Sequence, residues 1–235
     1  CGPTQHDMLP EVSVMPDVDD PFVPHPYSVV PFFENRNTIY QLLDCLPSIF
    51  QPAVATPYSA SGAALKASAL ALKGTGGKVV AVLGGPATVG FGSVKRQDCV
   101  QHVGTSSEKE ILSPTSSQYP SLARECVSTL HVSIDLFVCS WGFMDLASLG
   151  VLTRLTGGQL SLMTAFTEAE HGARLVHEME RNVRRRTGFR VVLRTHCSTG
   201  FDVVSKYGCL PPCKPDEDLV LPCIDQDKTL ALELR

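Results

Sequence analysis

Strand-like and helix-like segments alternate along most of this chain, and that order constrains its fold more than any other feature. Residues 79–83 are a continuous apolar run, typical of a strand covered on both faces, and residues 132–138 are predicted to form a second buried strand. Segments with apolar residues at helical spacing lie between them, and further strands are predicted at 159–163 and 189–193. Strands separated by amphipathic helices predict a mostly parallel α/β sheet.

Five predicted helices supply the connections. The first begins at Asn37, whose side chain can cap it, and Pro47 limits its length. The last begins at a capping box, residues 167–170, and ends at Gly188. The residues of the last helix that we expect to face inward are Leu175, Val176, Met179 and Val183. The other three helices are predicted to span about residues 59–74, 119–130 and 145–155.

The chain divides into three predicted parts. Residues 1–34 are crowded with Pro and Asp, which disfavour helices and central strands, so we expect an extended lead-in segment. Residues 35–188 form the α/β unit. Helical periodicity is absent afterwards, and 189–235 is predicted to start an all-β unit. A length of 235 residues suits one large domain plus part of a second.

Charge and hydrophobicity exclude two classes of function. A net charge of −4 gives no basis for binding nucleic acid, because duplex binding depends on a basic surface that neutralises phosphates. No apolar run approaches the roughly 18 residues that a membrane-spanning helix needs. The first residues also lack the charged and apolar regions of a signal peptide. We therefore expect a soluble cytosolic protein.

Nine cysteines are scattered over the whole length. Cys139 lies inside an apolar run, as reduced cysteines do when they pack as small hydrophobic side chains. The tightest group is Cys209, Cys213 and Cys223. Because it lacks the second Cys pair of a zinc ribbon, we predict free thiols there and no metal site.

Motifs for catalysis and nucleotide binding are weak. Residues 73–78 have the glycines and lysines of a phosphate-binding loop, but a predicted helix precedes them and a strand follows, the reverse of what that motif needs. We predict a helix C-cap and turn there. There is no Gly-x-Ser-x-Gly motif, and His177-Glu178 lacks the second histidine of a zinc protease. We therefore predict no catalytic residues and no enzyme.

Several motifs, taken together and in order, resemble one family. They are Asp-Val-Asp-Asp-Pro-Phe at 17–22, Thr-Gly-Gly-Lys at 75–78, Ser-Ile-Asp-Leu-Phe at 133–137, Asp-Leu-Ala-Ser-Leu-Gly at 145–150, Leu-Thr-Gly-Gly-Gln at 155–159 and Cys-Ile-Asp-Gln-Asp-Lys at 223–228. The order resembles the trunk domain of the Sec24 family, the cargo adaptor of the COPII vesicle coat. The resemblance covers nearly the whole chain.

This resemblance implies a fold and a set of partners. The trunk would be a doubly wound sheet like that of a von Willebrand A domain, followed by part of a β-sandwich. Its first strands, and the family's zinc ribbon, are expected before residue 1, so no cofactor is expected in this segment. The implied partners are the sister coat subunit of the Sec23 type, sorting peptides of cargo and SNARE proteins, and an anionic membrane surface. The implied location is the cytosolic face of the endoplasmic reticulum and of COPII vesicles.

The resemblance also indicates a candidate cargo site at Arg194 and His196. In the family, acidic sorting signals are held by basic residues, including two arginines spaced by one residue before Ser-Thr-Gly. Here Arg194 and His196 occupy those places, and Ser-Thr-Gly follows at 198–200. Alternate residues of a strand share a face, so these two side chains are expected to point the same way. Histidine, however, is largely neutral near pH 7. The alternative is that Arg194 is an exposed strand residue that holds no ligand.

A basic run nearby has two interpretations. Its members are Arg181, Arg184, Arg185, Arg186 and Arg190. Cations at a helix C-terminus complement its dipole and solvate an outer face, which needs no ligand. The alternative is a basic surface for lipid headgroups or acidic peptides.

A second function from another class is compatible with the same sheet. It is a metal-dependent von Willebrand A-type adhesion or chelatase-like subunit. The sequence upstream of residue 1 separates the two, because a Cys-x-x-Cys ribbon favours the adaptor and an Asp-x-Ser-x-Ser motif favours the metal-dependent subunit.

Overall fold

A computed structural model describes residues 14–23, 29–49, 58–94 and 103–235. Much of the predicted lead-in segment, including residues 1–13 and 24–28, lies outside these ranges. The helices are α1 (Phe32–Ile49), α2 (Ser61–Ala71), α3 (Glu108–Ile111), α4 (Gln118–Glu125, continued by a π-helical turn at Cys126–Leu130), α5 (Leu146–Thr156) and α6 (Glu168–Arg184). The strands are β1 (Gly77–Leu83), β2 (Val132–Ser140), β3 (Leu160–Thr164), β4 (Thr187–Leu193), β5 (Val203–Tyr207), β6 (Leu219–Asp225) and β7 (Ala231–Leu234).

Strands β1, β2 and β3 form a parallel sheet in that order, which confirms the predicted α/β class. The central strand β2 is buried along almost its whole length, as its apolar run predicts. For β1 the same prediction is wrong. Val79 and Leu83 are buried, but Val82 on the opposite face is 49% exposed, because the described residues cover only one face of β1 well.

The core lies between the sheet and helices α2, α4 and α5. The predicted stripe on α4 and its π-helical extension is confirmed, since all four of its residues are buried: Tyr119, Leu122, Cys126 and Leu130. Fully burying a large apolar side chain contributes about 1.5–3 kcal/mol, so this stripe is a main source of the stability of the unit. The predicted cap of α5 is also confirmed, because the Asp145 carboxylate accepts a hydrogen bond from the Ser148 amide at 3.0 Å.

Helix α1 differs from its prediction at both ends. It is helical from Phe32, with a break at Asn35, so Asn37 lies inside it and does not cap it. The Asn35 side chain donates to the Pro31 carbonyl at 3.0 Å, a local bond that competes with regular helix geometry. Pro47 lies inside the helix two residues before its end, so it does not stop the helix where it stands, although it removes one backbone hydrogen bond there.

Helix α6 begins as predicted and then departs from its prediction. The Thr167 hydroxyl caps the Glu170 amide, but the helix ends at Arg184 rather than at Gly188. Val176 and Val183 are 65% and 71% exposed, so they do not face inward.

The chain after α6 contains only strands within the described residues, which fits the predicted all-β unit. Strand β4 pairs antiparallel with β6, and β5 with β7. Arg190 interrupts the β4 ladder and has a positive φ of 52°. The boundary at residues 188 and 189 stays a prediction, and β4 itself begins at Thr187. No helix in the described ranges is long and apolar enough to cross a membrane.

Candidate functional site

Arg194 follows directly on the end of β4 and is already engaged by a carboxylate. In the antiparallel register Val192 pairs with Val220 and Leu193 with Leu219, which brings Arg194 opposite Asp218. Arg194 Nε donates to Asp218 Oδ1 at 2.8 Å, and Arg194 Nη2 contacts Asp218 Oδ2. This two-pronged arrangement is the geometry that guanidinium adopts with carboxylates. It raises the pKa of Arg194 and lowers the pKa of Asp218.

His196 lies on the same side as Arg194. Exposure alternates through this segment, so that Val192, Arg194 and His196 are exposed while Leu193 and Thr195 are partly buried. His196 is also close enough to Asp218 to help lower the pKa of that carboxyl. Arg194 therefore pairs directly with Asp218, and His196 affects the same carboxyl through its charge alone.

A cavity of about 700 Å³ opens beside Arg194. Its charged lining residues are Arg194, Lys206, Asp202, Asp216, Glu217 and Asp218. The Lys206 ammonium donates to the backbone carbonyl of Glu217, and Glu217 itself pairs with Lys214 at 2.9 Å. Four carboxylates and two cations line the cavity, so its rim is acidic while Asp218 remains in place.

The acidic segment at residues 216–218 is a part of this site that sequence reasoning missed. It lies more than twenty residues from Arg194 and next to no recognised motif. The pairing of β4 with β6 is what could have revealed this segment. An antiparallel register that pairs residue 192 with residue 220 also places residue 194 opposite residue 218.

The basic run does not form one continuous surface. Arg181 pairs with Asp227 at 3.0 Å, and Arg184 pairs with Glu180 at 2.7 Å. Arg190 reaches the Gly74 carbonyl after α2, at 2.9 Å, and Arg186 is exposed. The expectation that Arg185 belongs to an outer surface is wrong.

Arg185 is buried, with its side chain 6% exposed, because three acidic side chains surround it. Its guanidinium lies 3.1 Å from Asp225, 3.6 Å from Asp227 and 3.8 Å from Asp135. It also donates to the Gln159 side chain at 3.1 Å. Arg185 therefore joins the end of α6 to strands β2 and β6.

Asp135 is the centre of this buried network. It is 1% exposed and accepts hydrogen bonds from the Gln159 amide at 2.6 Å and from Asn182 Nδ2 at 2.8 Å. Lys78 Nζ lies 3.1 Å away but off the direction of a good hydrogen bond, so that contact is mainly electrostatic. Because this carboxylate accepts a hydrogen bond from Asn182 and attracts Arg185, the end of α6 directs these two polar side chains inward. Val176 and Val183 therefore remain exposed.

The glycine-rich turn at 73–78 is a helix C-cap, as predicted. The Gly76 amide donates to the Leu72 carbonyl at 2.8 Å, and Gly74 and Gly76 have positive φ of 91° and 68°. The turn links the end of α2 to β1, so its amides do not lie at a helix N-terminus where an anion would bind.

The cysteines at the β-unit are free thiols of differing exposure. Cys209 is exposed, Cys213 is partly exposed and Cys223 is buried, which raises the pKa of its thiol. Among the residues that the structure describes, no group of three or more His, Cys, Asp or Glu side chains could hold a metal ion.

Three comparisons with known proteins give one answer. Residues 5–183 match the family model of the Sec23/Sec24 trunk domain. The chain is 32% identical to protein transport protein SEC24 A of Arabidopsis thaliana, over 96% of the chain and 22% of that relative. It is 36% identical to protein transport protein SEC24 of Lodderomyces elongisporus, over 84% of the chain and 21% of the relative. The chain thus spans about a fifth of the length of these curated relatives.

The fold is similar to that of a solved structure, the crystal structure of the human COPII-coat protein Sec24c. The TM-score is 0.78 at 27% sequence identity, and the match covers 88% of this chain and 28% of the solved chain.

Proposed function

This chain belongs to the Sec23/Sec24 trunk domain family, and we propose that it is part of a cargo-selecting subunit of the COPII coat. The observation that carries the proposal is the match to Sec24 proteins along nearly the whole chain, together with the common fold. In this role it works on the cytosolic face of the endoplasmic reticulum, without catalysing a reaction. Fluorescence microscopy of the intact protein should show colocalisation with COPII exit sites; diffuse staining throughout the cell would contradict the proposal.

The first proposed partner is the sister coat subunit of the Sec23 type. Support comes from the matched family, whose model describes the trunk domains of both subunits. Affinity purification of the intact protein from cytosol should recover the sister subunit in near-equal amount. A folded, monodisperse preparation that recovers none would contradict this partnership.

The second proposed partner is an acidic sorting signal of a cargo or SNARE protein, held by Arg194 and His196. Support comes from the position of Arg194, 64% exposed at the rim of the cavity, with Lys206 as a second cation. Arg194→Ala should weaken binding of an acidic peptide by about tenfold or more, because a hydrogen-bonded charge is lost. Arg174→Ala removes a comparably exposed arginine outside the basic run, paired with Glu178 at 2.7 Å, and should leave binding unchanged.

His196 gives this site an expected dependence on pH. Peptide carboxylates stay ionised at pH 6, where an exposed histidine gains a proton, so binding should be tighter at pH 6 than at pH 7.5. His196→Ala should abolish that difference. If the variant retains it, another group is responsible and His196 is not part of the site.

A contact with anionic membrane is proposed for the exposed part of the basic run. Arg181, Arg184, Arg186 and Arg190 remain candidates because they are exposed, whereas Arg185, with its side chain buried, does not. Flotation with liposomes that contain 30% phosphatidylserine should recover the intact protein, and Arg186→Ala with Arg190→Ala should reduce recovery. Equal recovery with neutral liposomes would contradict an electrostatic contact.

The metal-dependent A-type subunit receives no support from these observations, because the matched relatives are transport proteins. Calorimetric titration of the intact protein with Mg²⁺ tests it directly. The zinc ribbon expected upstream of residue 1 stays a prediction.

A further inference from the structure

The Arg194–Asp218 pair raises a question for the proposed cargo site, because the arginine that should hold a ligand carboxylate already holds one. We propose that Asp218 is an internal competitor, which occupies Arg194 until an acidic peptide displaces it. This inference rests on the proposed function and specifies how that site is regulated.

The internal contact has the same form as the contact expected with a ligand. Asp218 meets Arg194 through both carboxylate oxygens, so an incoming carboxylate and Asp218 need the same two donors, Nε and Nη2. The two cannot bind in that geometry together. The charge of Asp218 is also felt by His196, the second residue of the proposed site, because His196 is close enough to help lower the pKa of that carboxyl.

The competitor is held loosely enough to leave. Asp218 is 30% exposed, and the preceding residues 214–217 are all exposed. Lys214 pairs with Glu217 within this segment, and both are on the surface. Leu219, the first residue of β6, is buried, so the strand stays anchored while the Asp218 side chain rotates away. Release of Arg194 therefore needs a local side-chain movement and no rearrangement of the sheet.

The exchange also changes the local charge. With Asp218 in place, four carboxylates line the cavity against two cations, Arg194 and Lys206. Moving Asp218 out leaves three carboxylates against the two cations and removes the negative charge that is closest to Arg194. An acidic peptide then meets the free guanidinium of Arg194.

The expected cost of this competition is modest. Ion pairs on the surface are weak, so the open form is a minor but accessible population. When only a fraction of molecules is competent to bind, the apparent Kd is the intrinsic Kd divided by that fraction. Removing the competitor should therefore tighten binding about twofold to sixfold.

Fluorescence anisotropy with a labelled peptide tests this on the intact protein. The probe is Gly-Ser-Asp-Glu-Asp-Ser-Gly, which repeats the acidic residues 216–218 of the chain, and its control is Gly-Ser-Asn-Gln-Asn-Ser-Gly. Asp218→Asn removes the charge of the competitor at constant shape. Asp216→Asn is the matched control, because it removes the same charge from the same segment without touching Arg194. Asp218→Ala repeats the test with a different side chain, and unchanged hydrogen exchange of β6 checks that each variant is folded.

Support requires that Asp218→Asn tighten the acidic probe about twofold to sixfold beyond the effect of Asp216→Asn, and that Arg194→Ala weaken binding by about tenfold or more in both backgrounds. Equal gains in the two Asn variants would overturn the inference, because they would reflect long-range charge alone. Wild-type binding that depends on Arg194 but does not improve in Asp218→Asn would overturn it too, while the proposed function stands. If neither the wild type nor Asp218→Asn binds the probe through Arg194, the cargo-site proposal fails and the inference with it.

Discussion

Replacing Asp135 by asparagine should loosen the sheet where it meets α6 and β6. The change removes one negative charge from a site that is 1% exposed, while Lys78 and Arg185 remain there as cations. Arg185 keeps Asp225 at 3.1 Å, but the ion pair of Lys78 is with Asp135, so Lys78 is left as a buried charge without compensation. Removing one partner of a buried ion pair typically costs about 3–5 kcal/mol.

Amide hydrogen exchange followed by mass spectrometry measures this cost locally in the intact protein. A loss of 3–5 kcal/mol corresponds to protection that falls by about two to nearly four orders of magnitude, at about 1.4 kcal/mol for each factor of ten. The peptides to follow are those from β2 and β3. Lys78→Met in the Asp135→Asn background should restore part of the protection, because it removes the uncompensated charge and keeps an apolar stem of similar length.

Asp44→Asn is the control for the charge change, since Asp44 lies on the exposed surface of α1, and it should alter protection by no more than about 0.5 kcal/mol. A loss below about 1 kcal/mol for Asp135→Asn would refute the reasoning, because Lys78 would then be hydrated or paired in some other way. So would a double variant less protected than Asp135→Asn alone.

Three further predictions concern local features of the fold. Asp145→Ala removes the cap of α5 and should lower the free energy of unfolding by about 1 kcal/mol, measured by hydrogen exchange of α5. Gly158→Ala would place a Cβ 1.9 Å from the Ile134 carbonyl oxygen and should cost about 3 kcal/mol or more in thermal or urea unfolding, whereas Gly142→Ala, with open space around it, should stay within about 0.5 kcal/mol. Burial raises the pKa of Cys126 and of Tyr119 to about 12, so the folded state keeps protons that the unfolded chain releases near pH 9 and 10. The free energy of unfolding should therefore fall as pH rises from 9 towards 12. For the same reason Cys126 should resist alkylation at pH 8.5, while exposed Cys209 reacts.

Local patterns predicted those parts of the fold whose contacts are local or uniformly apolar. The stripe that ends at Leu130 is buried as its spacing predicts, and Asp145 and Thr167 cap their helices as the motifs predict. Each of these features depends on residues a few positions apart, which a reader of the sequence can see together. The one-sided covering of β1 has no such signal, since an apolar run looks the same in a strand covered on both faces and in one covered on a single face.

The inward face of α6 could not be predicted, because its direction depends on a partner in another strand. Helical periodicity predicts that Val176 and Val183 face inward, because it takes only their hydrophobicity into account. In the structure the buried carboxylate of Asp135 accepts a hydrogen bond from Asn182. Satisfying this carboxylate stabilises the fold more than burying two valines would, so Asn182 lies on the inner face. The sign in the sequence was Asp135 within the largely apolar segment 132–138, because a buried carboxylate needs polar partners.

Ion pairing within the fold also decides which arginines can form a binding site. A run of arginines in a sequence states how many cations are present, but a binding surface depends on how many remain without a partner after folding. Arg181, Arg184 and Arg185 each have an acidic side chain within 4 Å. In the sequence these acidic residues range from neighbouring Glu180 to distant Asp135. Arg194 is paired as well, yet its partner lies at the surface, where the exchange of one carboxylate for another costs little. That difference in burial is why Arg185 is a structural residue and Arg194 is the residue on which a test of cargo binding should be made.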